Sequence, residues 1–215
     1  MDFDLAQTDA LLSTTRSVRK RLDLDRPVPH DVLLECIRLA VQAPTGGNAQ
    51  SWRWLIVDDA ETKAGLAELY ARSGRAALGA YRRGTPTDQT NRVLDSADFL
   101  LEILDQVPTM VIPCTKGRLV DTSPVVASSF YGSIVPAVWS FQLALRSRGL
   151  GSCYTTLHLI HEDEAAELLG IPYDEVTQVA LLPVAYTVGT DFTPAARGPV
   201  ERITYRNRWK EPVAG

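Results

Sequence analysis

The run from Thr122 to Leu145 carries no formally charged side chain, and it limits the folds open to the chain more than any other feature. It is long enough to cross a bilayer, which takes roughly 20 apolar residues. Yet Pro124, Pro136, five serines, Thr122 and Gln142 interrupt it, and hydrocarbon penalises such polar groups. The expectation is a buried helix of a soluble protein. Phe130, Ile134, Val138, Phe141 and Leu145 recur at helical spacing, and Gly149 closes the element. The apolar positions spread round the cylinder, so the helix should be covered on most sides. Pro136 should kink it or mark a fresh start.

Composition narrows the choice further. With 215 residues, 45% hydrophobic and 22% charged, the chain can bury a full core without staples, and residues 1–215 are expected to form one domain. Twenty-two Lys and Arg against 26 Asp and Glu give a net charge of −4, which exerts no global pull on nucleic acid or anionic lipid. Cys36, Cys114 and Cys153 lie far apart and are odd in number, against a disulfide framework. Met1-Asp2-Phe3-Asp4 shows neither the basic start nor the apolar run of a signal peptide. A reducing, cytoplasmic setting is expected.

Helices and strands mix without a repeating βαβ rhythm, which points to an α+β fold. Residues 4–13 suggest an opening helix anchored by Leu5, Leu11 and Leu12. After Pro29, an amphipathic helix carries Asp31 in its first turn and Leu33, Leu34, Ile37, Ala40 and Val41 on one stripe, ending by Pro44. Residues 52–57 and 110–114 predict strands, and 178–188 a third that is apolar on both faces and therefore central. Residues 60–106 predict helices broken at Gly74, Gly84 and Pro86. A further helix starts at Glu162, Asp163 and Glu164 and stops at Gly170, and Val200 to Trp209 alternates like a last strand.

Four segments carry candidate chemistry. In Arg16-Ser17-Val18-Arg19, two guanidiniums flank a hydroxyl; forked donors suit a phosphate, while a solvated basic patch is the plainer alternative. In Pro44-Thr45-Gly46-Gly47-Asn48-Ala49-Gln50, glycines allow close backbone approach to a flat ligand and the amides of Asn48 and Gln50 can meet a heterocycle edge, or simply bond to backbone. Gly149-Leu150-Gly151 followed by Tyr154, Thr155 and Thr156 offers donors along a ring, or a helix cap and a strand start. Arg197 is a surface charge or a second phosphate clamp.

In this order and at these separations the segments resemble the FMN-dependent nitroreductase family, which includes flavin reductases and iodotyrosine-deiodinase-like members. Leu169-Gly170-Ile171-Pro172, Arg197-x-Pro199 and Asn207-Arg208-Trp209 extend the likeness over nearly the whole chain; residues 60–106 match loosely. The resemblance implies a central, mainly antiparallel sheet flanked by helices in an intertwined homodimer, with one FMN at each of two subunit interfaces. It implies that Arg16, Ser17, Arg19 and Arg197 hold the phosphate and ribityl end. Thr45, Gly46, Asn48 and Gln50 would line the isoalloxazine from across the interface, and Tyr154, Thr155 and Thr156 would pass its N5 and O4 edge. Many members have a further basic residue where Thr15 stands, so the grip is expected to be looser here, or shared with Lys20 or Arg21.

The activity so implied is hydride transfer from NADH or NADPH to the flavin, then reduction of a nitroaromatic, quinone or similar small molecule in ping-pong order. An FMN phosphate carries about −1.5 to −2 charges, which three arginines can neutralise, and the cofactor supplies the redox chemistry, so no acid, base or nucleophile is required. Two alternatives stand beside it: a protein that stores FMN without turnover, and a reductive dehalogenase, prompted by Thr155-Thr156. Other candidates are weaker. His158 and His161 lack a third metal ligand, Cys153 suits a small apolar filler, and Trp52 and Trp54 should pack in the core or at an interface. Arg72, Arg75, Arg82 and Arg83 form a solvated helix face, or contact a nicotinamide phosphate or substrate.

Overall fold

The computed structural model describes residues 2–84 and 87–213. Five strands, β1 (Trp52–Val57), β2 (Thr109–Lys116), β3 (Leu150–Ser152), β4 (Val176–Gln178) and β5 (Leu182–Tyr186), form one sheet. Its order is β1-β2-β5-β3, β4 also pairs with β2, and every ladder is antiparallel. Seven α-helices flank it among the described residues: α1 (Leu5–Thr14), α2 (His30–Ala40), α3 (Ala60–Arg82), α4 (Asp88–Ile103), α5 (Pro124–Gly132), α6 (Val135–Ser147) and α7 (Glu162–Leu169). This is the α+β architecture expected from the sequence.

The two faces of β2 organise the core, because successive side chains of a strand point to opposite sides. Met110, Ile112 and Cys114 face one cluster with Leu66 and Tyr70 of α3 and Leu100 of α4. Val111 faces the other, with Leu33 and Cys36 of α2 and Val138 and Phe141 of α6. Trp52 and Trp54 pack against this second cluster. The buried stripe of α2 is Leu33, Cys36 and Ala40; Leu34, expected on it, is exposed.

Several expectations need correction. Gly74 does not break α3, which runs unbroken to Arg82. Its missing side chain serves packing instead: a Cβ there would lie 2.5 Å from Leu101 Cδ2 of α4. Gly84 does follow the helix end, and Pro86 lies outside the described residues. The uncharged run is two helices. Pro136 sits in the first turn of α6, where its absent N–H breaks no bond, and α5 buries none of its residues in a single chain. Nor does α1 bury any; Leu5 and Leu12 are exposed. Among the described residues no helix is long and apolar enough to cross a membrane.

The strand expected over 178–188 is split by a bulge. Cys114 pairs with Gln178 and Val111 with Leu182, so residues 179–181 stand opposite only 112–113. Pro113 lacks an N–H, and its carbonyl accepts from the Val179 amide at 2.9 Å. Leu181 is then free to exchange backbone hydrogen bonds with Thr155. The alternating tail is not a strand either. Val200–Arg202 forms a 3-10 turn, and Tyr205 makes a lone bridge to Pro212. Unpaired with any strand of the sheet, Val200, Ile203 and Trp209 are exposed.

Candidate functional site

The first basic motif is stitched to the edge of the sheet. Ser17 bridges to Ser152 of β3, and the Val18 amide donates to the Ser152 carbonyl at 2.9 Å. Extended backbone turns Val18 into the core, where it is 4% exposed, so Ser17 and Arg19 project the other way. The approach depends on Gly151, where a Cβ would meet Thr187 Cγ2 at 2.7 Å and Val18 Cβ at 2.9 Å. Gly149 takes the left-handed conformation, at φ 76°, that ends the preceding helical turn.

Thr15, Arg16, Ser17 and Arg19 then form one wall of a cleft of about 530 Å³. Gln89, Arg92, Val93 and Ser96 of α4 form the facing wall, Trp139 of α6 closes one side, and Arg197 reaches in from the tail. The structure therefore unites Arg16, Ser17, Arg19 and Arg197, residues as far apart as the sequence allows. Each guanidinium has a neutral partner. Arg16 donates to the Thr193 carbonyl at 2.8 Å, Arg19 to Ser96 Oγ at 3.1 Å, Arg92 to Gln89 Oε1 at 3.2 Å and Arg197 to the Ala196 carbonyl at 3.3 Å. Among the described residues none of the four is paired with a carboxylate. Arg19 Nε is buried without a hydrogen-bond partner among the described residues, and its side chain also lies beside the buried Cys153 thiol. Four like charges in one cleft repel one another. A bound multivalent anion relieves that repulsion.

Neither Lys20 nor Arg21 lines this cleft; both line a smaller one that shares Ser17, Arg19 and Ser96 with it. Arg21 is spent elsewhere: it pairs with Asp191 at 2.6 Å, donates to the Val188 carbonyl and lies over the Phe192 ring.

The second segment stands apart from the cleft within one chain. Thr45 precedes a 3-10 turn over Gly46–Asn48 in which Gly47, Asn48 and, just beyond, Gln50 all take positive φ. For Asn48 and Gln50 that conformation is strained by about 1–3 kcal/mol each. Gln50 Nε2 donates to Asn48 Oδ1 at 2.8 Å, and the Gln50 amide to Thr45 Oγ1 at 3.3 Å, so the exposed amides are held in a fixed display. The Gly46 amide donates to Ser133 Oγ at 2.9 Å, and a Cβ on Gly46 would lie 2.5 Å from Ser129 Oγ of α5.

The third segment also lies outside the arginine cleft. Tyr154 donates its hydroxyl to the Val179 carbonyl at 3.2 Å, and Thr155 Oγ1 is 2.8 Å from Tyr70 Oη. Burial raises the Tyr70 phenol despite its bond to Thr155, so it stays protonated and can donate to that hydroxyl. Thr156 is exposed at the entrance to the 3-10 helix Leu157–His161.

Sequence reasoning missed Gln89, Arg92, Val93, Ser96 and Trp139. The first four fall at i, i+3, i+4 and i+7 of a helix, a signal for one shared face, but only the packing of α4 on α3 decides where that face points. The remaining sequence candidates are structural. His161 opens α7, bonded to Ser73 Oγ at 2.6 Å and to Glu164, while His158 is turned into the core. Arg72 pairs with Glu164, and Arg82 with Asp95 and Asp98. Cys153 is fully buried.

An α+β fold whose two chain ends meet round a cleft lined by four arginines sets the frame for comparison. The nitroreductase family matches residues 12–186, and the chain belongs to that family, which makes it an oxidoreductase by class. Its sequence is 28% identical over 177 residues to iodotyrosine deiodinase of Thermotoga neapolitana, covering 81% of this chain and 86% of that protein. It is 26% identical over 214 residues to 5,6-dimethylbenzimidazole synthase of Rhodospirillum rubrum, covering 95% and 92%. Among solved structures, iodotyrosine deiodinase bound to FMN and 3-iodo-L-tyrosine superposes with a TM-score of 0.69 at 25% identity, covering 94% of this chain and 98% of that one. The FMN-dependent nitroreductase of Mycobacterium smegmatis in complex with NADPH also gives 0.69, at 20% identity over 95% of this chain and 100% of that one, a likeness of fold.

Proposed function

We propose that this protein is an FMN-dependent oxidoreductase that passes electrons from NADH or NADPH to a nitroaromatic, quinone or similar small acceptor in ping-pong order. The observation that carries the reading is the convergence of Arg16, Arg19, Arg92 and Arg197 on one cleft without a carboxylate among them. The guanidiniums of Arg16, Arg19, Arg92 and Arg197 are met only by neutral groups, and that donor set fits a phosphate there.

Arg16, Ser17, Arg19 and Arg197 would hold the phosphate and ribityl end. Thr45, Gly46, Asn48 and Gln50 would line the ring from across a homodimer interface, which agrees with their distance from the cleft within one chain. The exposed Leu5, Leu12, Val125, Val126 and Tyr131 on α1 and α5 supply apolar surface for such an interface. Tyr154, Thr155 and Thr156 would flank the redox edge, where Tyr70 fixes the direction of the Thr155 hydroxyl. Bound FMN would supply the electron carriage between donor and acceptor. Residues 1–215 would act as one flavin-binding unit.

Titration of the purified protein with FMN, followed by addition of NADH or NADPH under anaerobic conditions, tests the reading. Flavin binding and bleaching of its visible band by one of the two donors are expected. Protein that stays colourless with FMN overturns the cofactor; bound flavin that neither donor reduces leaves a storage role instead. The Tyr70–Thr155 bond favours one second reading, reductive dehalogenation, because an oriented hydroxyl beside the ring suits single-electron steps. Halide release from a halogenated phenol by the reduced protein would favour it over nitro or quinone reduction.

A further inference from the structure

We infer that Arg92 of α4 is a ligand of the cofactor phosphate, supplying a fourth guanidinium to the cleft from the middle of the chain. This rests on reading the cleft as the phosphate end of an FMN site. Thr15 spends its hydroxyl on the Leu11 carbonyl at 2.6 Å, and Arg21 is committed to Asp191 and the Val188 carbonyl. The only further guanidinium lining the cleft, among the described residues, comes from α4.

The face of α4 is built for that role. Gln89, Arg92, Val93 and Ser96 look into the cleft, and Ser96 Oγ accepts from Arg19, which ties the helix to the first basic motif. The nearby carboxylates of the helix, Asp95 and Asp98, are turned away and bound by Arg82 of α3. Asp88, one turn before Arg92, neither lines the cleft nor pairs with Arg92, whose fork is steadied by the Gln89 amide at 3.2 Å. Arg92 also sits just past the first turn of α4, near the positive end of the helix dipole, which disfavours a cation and favours an anion. Three other arginines nearby add to that repulsion. A doubly charged phosphate between the two walls resolves it, and the pairing of planar guanidinium with phosphate oxygens is the strongest contact such a side chain can make.

The test compares FMN with riboflavin, which has the same ring and no phosphate, by quenching of flavin fluorescence on apo-protein. The ratio of the two dissociation constants isolates the phosphate. Arg92→Ala is expected to lower the preference for FMN about tenfold or more while riboflavin affinity stays at the wild-type value, and Arg92→Lys to recover part of it. An unchanged ratio in Arg92→Ala overturns the inference, including the case where both flavins weaken equally because α4 is merely disturbed. Wild-type protein that binds both flavins alike, or neither, sinks the phosphate reading of the cleft itself. A ratio that falls in Arg16→Ala but not in Arg92→Ala rejects Arg92 alone.

Discussion

The amide of Val18 donates to the carbonyl of Ser152 at 2.9 Å, and through that bond the basic segment near the start of the chain is laid along the edge strand β3. Val18 is buried against Gly151, while its neighbours Ser17 and Arg19 face the cleft. Position of the guanidiniums is therefore a consequence of core packing at the next residue.

Gly151→Ala should expose that dependence. The added methyl would meet Val18 Cβ at 2.9 Å and Thr187 Cγ2 at 2.7 Å, and neither belongs to a long flexible side chain. Overpacking of this kind costs about 1–3 kcal/mol. Urea unfolding should register that loss, and FMN affinity should fall as the Arg16–Arg19 segment is pushed off the strand. Unaltered stability and affinity would mean that the segment is held by other contacts.

Removal of single guanidiniums tests the cleft directly. Arg16→Ala and Arg197→Ala should each weaken FMN by about ten- to a hundredfold, because a charge-assisted hydrogen bond contributes about 1.5–3 kcal/mol. Both residues should matter although 180 positions of sequence separate them. A variant that retains FMN as tightly as wild type has been given the wrong role. Raising the salt concentration should weaken wild-type binding as well, since the cleft is open to solvent.

The three thiols should be inert in the folded protein. All are buried, and burial raises Cys36, takes Cys114 to about 12 and takes Cys153 to about 11 in spite of Arg19 nearby. Thiolate, the reactive form, is then scarce at neutral pH. A chromogenic disulfide reagent at pH 8 should find no fast-reacting thiol until denaturant is added, and then three. Rapid reaction of one thiol in native protein would show that its cover opens.

Much of the fold was legible because its signals are local. The acidic first turn and Gly170 frame α7, the stripe from Leu33 to Ala40 sets α2, and the apolar runs mark β1 and β2. The misreadings occurred where a distant neighbour decides. Gly74 looked like a helix breaker, but it makes room for Leu101. Residues 178–188 looked continuous, but Pro113 on the facing strand imposes a bulge. The alternating tail pairs with no strand of the sheet. The same division holds for the site. Arg16, Ser17, Arg19 and Arg197 were visible through family likeness, whereas Arg92 lies in a loosely matching stretch and becomes a wall of the cleft only through the packing of α4.

Stability should carry a pH signature from His158. The ring is completely buried without a hydrogen-bond partner among the described residues, and burial lowers its pKa from 6.5 to about 4. Between those values the unfolded chain binds a proton that the folded protein refuses, so unfolding is favoured as pH falls. The contribution is fully present above pH 6.5, is lost progressively from there down to about pH 4, and levels off below. The full difference amounts to about 3 kcal/mol. Unfolding free energies of wild type and His158→Leu, measured from pH 7 to pH 4, cancel the carboxylates common to both. Wild type should lose about that much more than the variant across the interval. Parallel pH profiles would mean that the imidazole titrates alike in the folded and unfolded states, and hence that it is hydrated in the native protein.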